Sequence, residues 1–299
     1  MQAEADVVRG ATRAAMARRR GARLSGAPIF RHAVLILFCV IAVAPVIWVF
    51  SMSLKSIPEA YSTPMTFFPA HPTFDAYGYA FSNIPSLPQY FLNSVIVTAG
   101  GMIGVMIASC LAGFALVWLQ FPGRKVIMAV MAASLFFPTQ ITSLIGIYQV
   151  SADLNLLDSL LGLILPYIAI NLVVSTFIMT GVFRAIPKEL LEAARTDGCT
   201  VLRTLVQILL PLCTNGLIVV AMLNFIAMWG EFLLAYTLTS TSSARTLTVA
   251  MAQATAGTGV WEWPRIAAVY TVMIIPPIIL FVASQKWFIK GITEGALRQ

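Results

Sequence analysis

Residues 33–52 form an unbroken run of 20 positions without a charged side chain, and five further apolar stretches follow at 92–119, 126–148, 160–182, 205–229 and 266–288. Of the six, only the last contains a charge, Lys286. A helix of about 20 apolar residues crosses a hydrocarbon core of about 30 Å. In that medium every backbone polar group must be satisfied within the protein, so the runs predict helices. Charged residues make up 10% of the chain, against about 25% in a soluble domain. The reading is an all-α integral membrane protein with six transmembrane helices. It has a basic tail at 1–32 and a membrane domain at 33–295. The first run is too long for the apolar core of a signal peptide, which predicts an uncleaved span.

The positive charges orient these spans. The tail, the 120–125 turn, the 183–204 loop and the C-terminal end hold 16 of the 19 lysines and arginines, whereas the alternate loops hold only Lys55, Arg245 and Arg265. Positive residues stay on the cytoplasmic side, so both termini and the 183–204 loop are expected inside the cell. The net charge of +7 is spread between and outside the apolar runs. That distribution excludes a folded nucleic-acid surface, and it places the arginine-rich tail beside anionic membrane lipid.

Proline and glycine mark where the helices should deform or touch. Pro138, Pro166, Pro211, Pro276 and Pro277 lie within spans, where a missing N–H predicts kinks or unwound turns. Gly100, Gly101, Gly104 and Gly113 fall in the second span with Ala108, Ser109 and Ala112, a composition that suits close helix contact. Residues 53–90 are rich in proline and aromatics and read as an irregular surface segment. The 230–265 loop is longer than a connection needs, and its apolar pieces 232–238 and 247–252 are too short to span. Cys39, Cys110, Cys199 and Cys213 have no metal or redox spacing and read as small buried hydrophobes. With only His32 and His71 present, a histidine metal site or catalytic dyad has little to work with.

The one long charged interruption inside the apolar sequence is 183–211, FRAIPKELLEAARTDGCTVLRTLVQILLP. Pro187 suits the first turn of a helix, where its missing N–H costs nothing. Residues 188–195 are mostly good helix formers, Asp197 and Gly198 end the piece, and Thr200 caps the next. Gly198 permits a positive φ. Leu202, Leu205, Val206 and Leu209 have the spacing of one apolar helix face. Ala193 and Ala194 leave a low surface for another protein, and Glu192 offers it a charge. The loop thus reads as a short helix across the cytoplasmic face, a turn, and a helix entering the bilayer.

The spacing of Glu192, Ala193, Ala194, Gly198, Ile208, Leu210 and Pro211 resembles the EAA loop of the membrane-spanning subunits of binding-protein-dependent ABC importers. Chance would produce it roughly once in 10⁸ starting points. The IPKEL and DG around it are most similar to the carbohydrate branch, in particular the second permease of the maltose type. WVFSMSLKS at 48–56, FLNSVIVT at 91–98, FPG at 121–123, LLDSLLGLILPY at 156–167 and MWGEFLLAYTLT at 228–239 extend the resemblance over about 33–295. Gly230 departs from it, standing where the family commonly has Asn. The resemblance implies a coupling helix between spans four and five, with Pro187, Glu189, Glu192, Ala193, Ala194, Arg195, Asp197 and Gly198 meeting an ATPase. It also implies a second, different permease, two ATPase subunits and an extracytoplasmic binding protein, in a bacterial inner membrane.

No phosphate loop of the form G-x-x-x-x-G-K-[ST] occurs, so ATP and its Mg are expected on the partner ATPase, with no cofactor on this chain. No G-x-S-x-G or H-E-x-x-H occurs, and no catalytic or metal-ligating residue is expected. An ion-gradient-driven secondary transporter is the alternative. Such proteins place ionisable relays at mid-membrane, whereas here the central spans contain no acidic residue and Glu231 sits at the outer edge of the fifth. Uncharged polar residues, Asn93, Gln140, Tyr148, Asn171 and Asn224 first among them, are the candidates for a substrate path. A lining of amides and hydroxyls suits a neutral sugar or polyol.

Overall fold

The computed structural model describes residues 27–84, 86–136, 142–256 and 262–296. All regular structure among the described residues is helical. Most of the N-terminal tail, Pro138 and Gln140 lie outside them.

Helix α1 (Ala27–Ser53) begins six residues before the predicted span, so Arg31 and His32 lie within it. Its apolar side chains face outward, with Ile36 63% and Phe38 65% exposed, as a surface in contact with lipid chains requires. Cys39 is exposed on the same helix, unlike buried Cys110 and Cys213. The 53–90 segment is less irregular than its prolines suggested. It contains two short helices, α2 (Ile57–Ala60) and α3 (Asp75–Asn83), before α4 (Leu87–Trp118) enters.

Among the described residues, four helices are long and apolar enough to cross a membrane: Phe30–Ser53 of α1, α4, α7 (Leu160–Arg184) and Trp263–Lys286 of α13 (Trp263–Ala296). One further pair of helices is long and apolar enough only when taken together. Helix α9 (Val201–Leu212) and α10 (Thr214–Trp229) meet at 82°. The third predicted span falls into α5 (Arg124–Ser134) and α6 (Leu144–Asp153), each too short alone to cross. The helices run unbroken past Pro166, Pro276 and Pro277. Of the prolines in described spans, Pro211 is the one beside a sharp bend. There the chain has already left α geometry, because Thr204–Leu209 forms a π-helix.

Helices α4 and α7 make the most extensive contact, with α10 packed on α4, and α13 packed on both α1 and α10. The α4 glycines explain the first pairing. A Cβ at Gly100 would meet Ile164, one at Gly104 would overlap Ile168, and one at Gly113 would press on Met179 and the Thr180 backbone. One core cluster joins Val97 and Val105 of α4 to Leu163 and Tyr167 in the first turns of α7 and Met228 at the end of α10. A second joins Phe114, Phe183, Leu191, Leu205 and Leu209 at one end.

Candidate functional site

The charged loop folds as the hairpin its sequence implies, with corrections of register. Helix α8 (Lys188–Thr196) starts one residue later than predicted, so Pro187 is its N-cap rather than part of its first turn. Asp197 is the C-cap and Gly198 follows at φ 75°. The Cys199 N–H donates to the Ala194 carbonyl at 2.9 Å and the Gly198 N–H to the Arg195 carbonyl at 3.0 Å. This pair of bonds is the Schellman arrangement, which needs a left-handed residue at Gly198. Thr200 then caps α9, accepting from the Arg203 N–H at 3.3 Å.

The two alanines do not share a face. Leu191 and Ala194 are buried at 6% and 3%, while Glu189, Glu192, Ala193 and Arg195 are exposed. Leu191 enters the core cluster with Phe114 of α4, Phe183 of α7, Leu205 and Leu209 of α9, and Val220 of α10. Ala194 lets the helix lie close on that cluster, and the neighbouring turn presents the charges outward. Leu191 carries no chemistry, so its anchoring role was not visible before the helix had a direction.

The apolar face predicted for α9 divides. Leu205 and Leu209 are buried, whereas Leu202 and Val206 are 63% and 51% exposed. A π-turn carries about 4.4 residues rather than 3.6, so the wider turn keeps the pair at i and i+4 on the core and carries the other pair off it. Buried Cys213 extends the inner row to the bend.

Among the described residues, the path candidates are not gathered in one chamber. Asn93 is fully buried and tied down: its Nδ2 donates to the Ser243 and Arg245 carbonyls at 3.0 and 2.9 Å, and its Oδ1 accepts from Gln89 at 2.9 Å. Asn224 on α10 donates to Ser175 Oγ on α7 at 2.8 Å and to the Val220 carbonyl at 2.7 Å. Its Oδ1 is buried without a partner. Asn171 donates to the Tyr167 carbonyl at 2.9 Å and lines a cavity of about 30 Å³ with Tyr167 and Glu231. Tyr148 is 43% exposed on α6. Gln140 lies outside the described residues.

Glu231 anchors the start of α11 (Leu233–Leu238), accepting from the Leu234 and Ala235 N–H groups at 2.8 and 3.0 Å and from Tyr167 Oη at 2.7 Å. Its neighbour Gly230 closes α10 at φ −94°, a conformation open to any residue.

The 239–247 segment, which leads from α11 into α12 (Leu247–Ala256), is held from two sides. Ser94 accepts from the Leu247 N–H at 2.9 Å beside the Asn93 bonds. Asp158, at φ 59°, accepts from the Ser240 and Thr241 N–H groups at 2.9 Å each and from Ser240 Oγ at 3.1 Å. Partial desolvation raises the Asp158 carboxyl, but the bonds from Thr241 and Ser240 together outweigh it and hold the group below its ordinary range. A lowered folded pKa stabilises above the unfolded value of about 3.9, and that contribution is lost as pH falls through the folded value. Asp158→Asn should therefore lower the melting temperature at pH 7 by at most about 2 °C, since the site reaches solvent. The difference should shrink as pH falls below the unfolded value, as thermal scans of the two chains at pH 7 and in acid will show.

The geometry defines a multi-pass membrane protein whose charged hairpin is rooted in the helical core. The sequence over residues 100–294 matches the family described as binding-protein-dependent transport system inner membrane component. The sulfoquinovosyl glycerol transport system permease protein SmoH of Agrobacterium fabrum is 36% identical, the match covering 85% of this chain and 88% of that protein. The diacetylchitobiose uptake system permease protein NgcG of Streptomyces coelicolor is 33% identical over 89% and 88%. The sn-glycerol-3-phosphate transport system permease protein UgpE of Yersinia pestis is 28% identical over 90% and 97%. In fold, a bacterial ABC transporter involved in import of the acidic polysaccharide alginate superposes with a TM-score of 0.78 at 24% identity, covering 87% of this chain and 96% of that one. The chain belongs to the family of binding-protein-dependent transport system inner membrane components, in its carbohydrate ABC importer branch. It is a transport permease subunit of the bacterial inner membrane rather than an enzyme, working with ATPase and binding-protein partners.

Proposed function

We propose that this chain is one half of the translocation path for a sugar or sugar-like solute, paired with a second, different permease. Six spans with both termini cytoplasmic, within a membrane domain at 33–295, account for the charge distribution. In this arrangement α5 and α6 belong to one crossing and α9 and α10 to another. The cargoes named for the relatives, sulfoquinovosyl glycerol, diacetylchitobiose and sn-glycerol-3-phosphate, all carry hydroxyl groups, and the first and last also carry an anionic group. An amide-lined path is suited to such solutes. Asn224, Asn171 and Tyr148 are the path residues proposed from the described helices, together with Gln140. Asn93 is reassigned to holding the outer segment, because its amide is already occupied.

The observation that carries the coupling proposal is the division of α8 into two faces. Glu189, Glu192, Ala193 and Arg195 face out to an ATPase subunit, and Leu191 and Ala194 root the helix in the cluster shared by α4, α7, α9 and α10. Pro187, Asp197 and Gly198 set its two ends. A push on the outer face moves the cluster, and the bent fifth crossing turns with it. ATP and Mg are bound by the partner, and this chain supplies the lever.

Energisation tests the reading. In cells expressing the complete system, uptake of the cargo should stop when ATP is depleted and continue under an uncoupler while ATP is maintained. Uptake that follows the ion gradient instead would overturn it.

A further inference from the structure

An open cleft of about 800 Å³ separates α8 from the turn that joins α4 to α5. Arg124 and Lys125 line it from the turn side, and Lys188 and Arg195 from α8; Glu192 is the one carboxylate among the lining residues. Among the described residues the single ion pair is Arg265 with Glu262, so none of these four cations is neutralised by a carboxylate. Arg124 donates one N–H to the Val117 carbonyl at 3.4 Å, a long bond that leaves most of its donors uncommitted. Trp118 lines the same cleft, and its indole N–H is buried without an acceptor.

The position identifies the anion's source. Trp118 is the last residue of the 32-residue apolar helix α4, and Arg124 opens α5, whose Val126 and Val130 stand 64% and 63% exposed. Apolar side chains that face outward directly beside a cationic cleft put it at the depth where hydrocarbon gives way to headgroups, which is also where indoles concentrate. We propose that this cleft binds the phosphate of an anionic phospholipid headgroup, which Arg124, Lys125 and Lys188 hold electrostatically. The lipid sits between α8 and the α4–α5 turn, so the lever described above moves against a bound lipid. The inference rests on the inner-membrane permease reading.

Native mass spectrometry of the complete complex in detergent tests it, with phosphatidylglycerol or phosphatidylcholine added. Phosphatidylglycerol should be retained over phosphatidylcholine. The double variant Arg124→Gln with Lys125→Gln should lose phosphatidylglycerol affinity by about tenfold or more, at the strength of basic residues beside an anionic surface. The charge-keeping exchange Arg124→Lys with Lys125→Arg should retain it, which separates loss of charge from loss of fold. Equal retention by wild type and the Gln variant, or equal loss in both double variants, overturns the proposal. Displacement by millimolar inorganic phosphate overturns it in favour of a free-anion site. Retention by the isolated chain but not by the complex overturns it in favour of a seat for the ATPase. ATP-dependent uptake by the same preparation reports separately on the permease reading.

Discussion

Gly198→Val is expected to cut uptake steeply while the chain still inserts and accumulates in the membrane. No side chain blocks the substitution, since a Cβ at Gly198 meets nothing within 4 Å. The obstacle is the backbone. Gly198 sits at φ 75°, where an L-residue is penalised by about 1–2 kcal/mol and a β-branched one is a true outlier. Relief of that strain requires the two bonds closing α8 onto Ala194 and Arg195 to open, which frees the end of the helix that faces the ATPase. Uptake should fall by about tenfold or more, because such a penalty alone is close to one order of magnitude in population. Gly198→Asn should retain most activity, since Asn tolerates the left-handed region. Glu192→Lys is the companion test: its side chain is exposed, so loss of uptake there would reflect the partner surface rather than the fold. The measurements are cargo uptake in cells and the amount of chain in membranes. Normal uptake in both Gly198→Val and Glu192→Lys would remove the coupling role.

The hairpin was legible in the sequence because its signals are local. A proline before good helix formers, a glycine after them and a threonine at the next start each act within a few residues, and the structure differs by a single position at Pro187. Which way the helix faces was not legible. Ala193 and Ala194 are chemically identical, and only the burial of Leu191 three residues earlier decides that Ala194 turns inward. The π-helix at Thr204–Leu209 escaped for a different reason. A hydrophobic pattern of i, i+3, i+4 and i+7 assumes 3.6 residues per turn, and the tertiary demand to keep Leu205, Leu209 and Cys213 on one core widens the turn instead.

Polar residues were the hardest to place. Asn93 and Asn224 read alike in an apolar run, yet one holds a distant loop by its backbone and the other bridges two helices with an oxygen left unpaired. Asp158 was not singled out at all, because its partners lie more than 80 residues away at Ser240 and Thr241. The signal that could have found it is the LDS preceding an apolar run, with Ser159 capping α7 through the Gly162 N–H at 3.0 Å. That cap fixes the turn on which Asp158 is displayed.

The glycines of α4 differ in what they face, and that difference sets the size of the second large effect. A Cβ at Gly104 would overlap Ile168 Cδ1 and Cγ1, both side-chain atoms that move without the backbone. At Gly113 it would lie 3.0 Å from Met179 Cβ, 3.3 Å from the Thr180 nitrogen and 3.4 Å from the Met179 carbonyl carbon. Those atoms belong to, or root directly on, the backbone of α7, so the helices themselves must separate. Gly113→Leu inserts four carbons at this point, between Phe114 and Met179 of the cluster in which Leu191 anchors α8. Without a hydrophobic drive between helices in lipid, close packing is the main attraction, and its loss is not offset elsewhere. The melting temperature of the purified chain should fall by roughly 5–10 °C. Gly104→Ala should cost little by comparison, and Gly181→Leu, where nothing lies within 4 Å, should change it by about 2 °C or less. Because α8 is fixed through the same cluster, Gly113→Leu should also reduce uptake more steeply than chain abundance. Equal melting temperatures for Gly113→Leu and Gly181→Leu would mean that α4 and α7 are not held together by this contact.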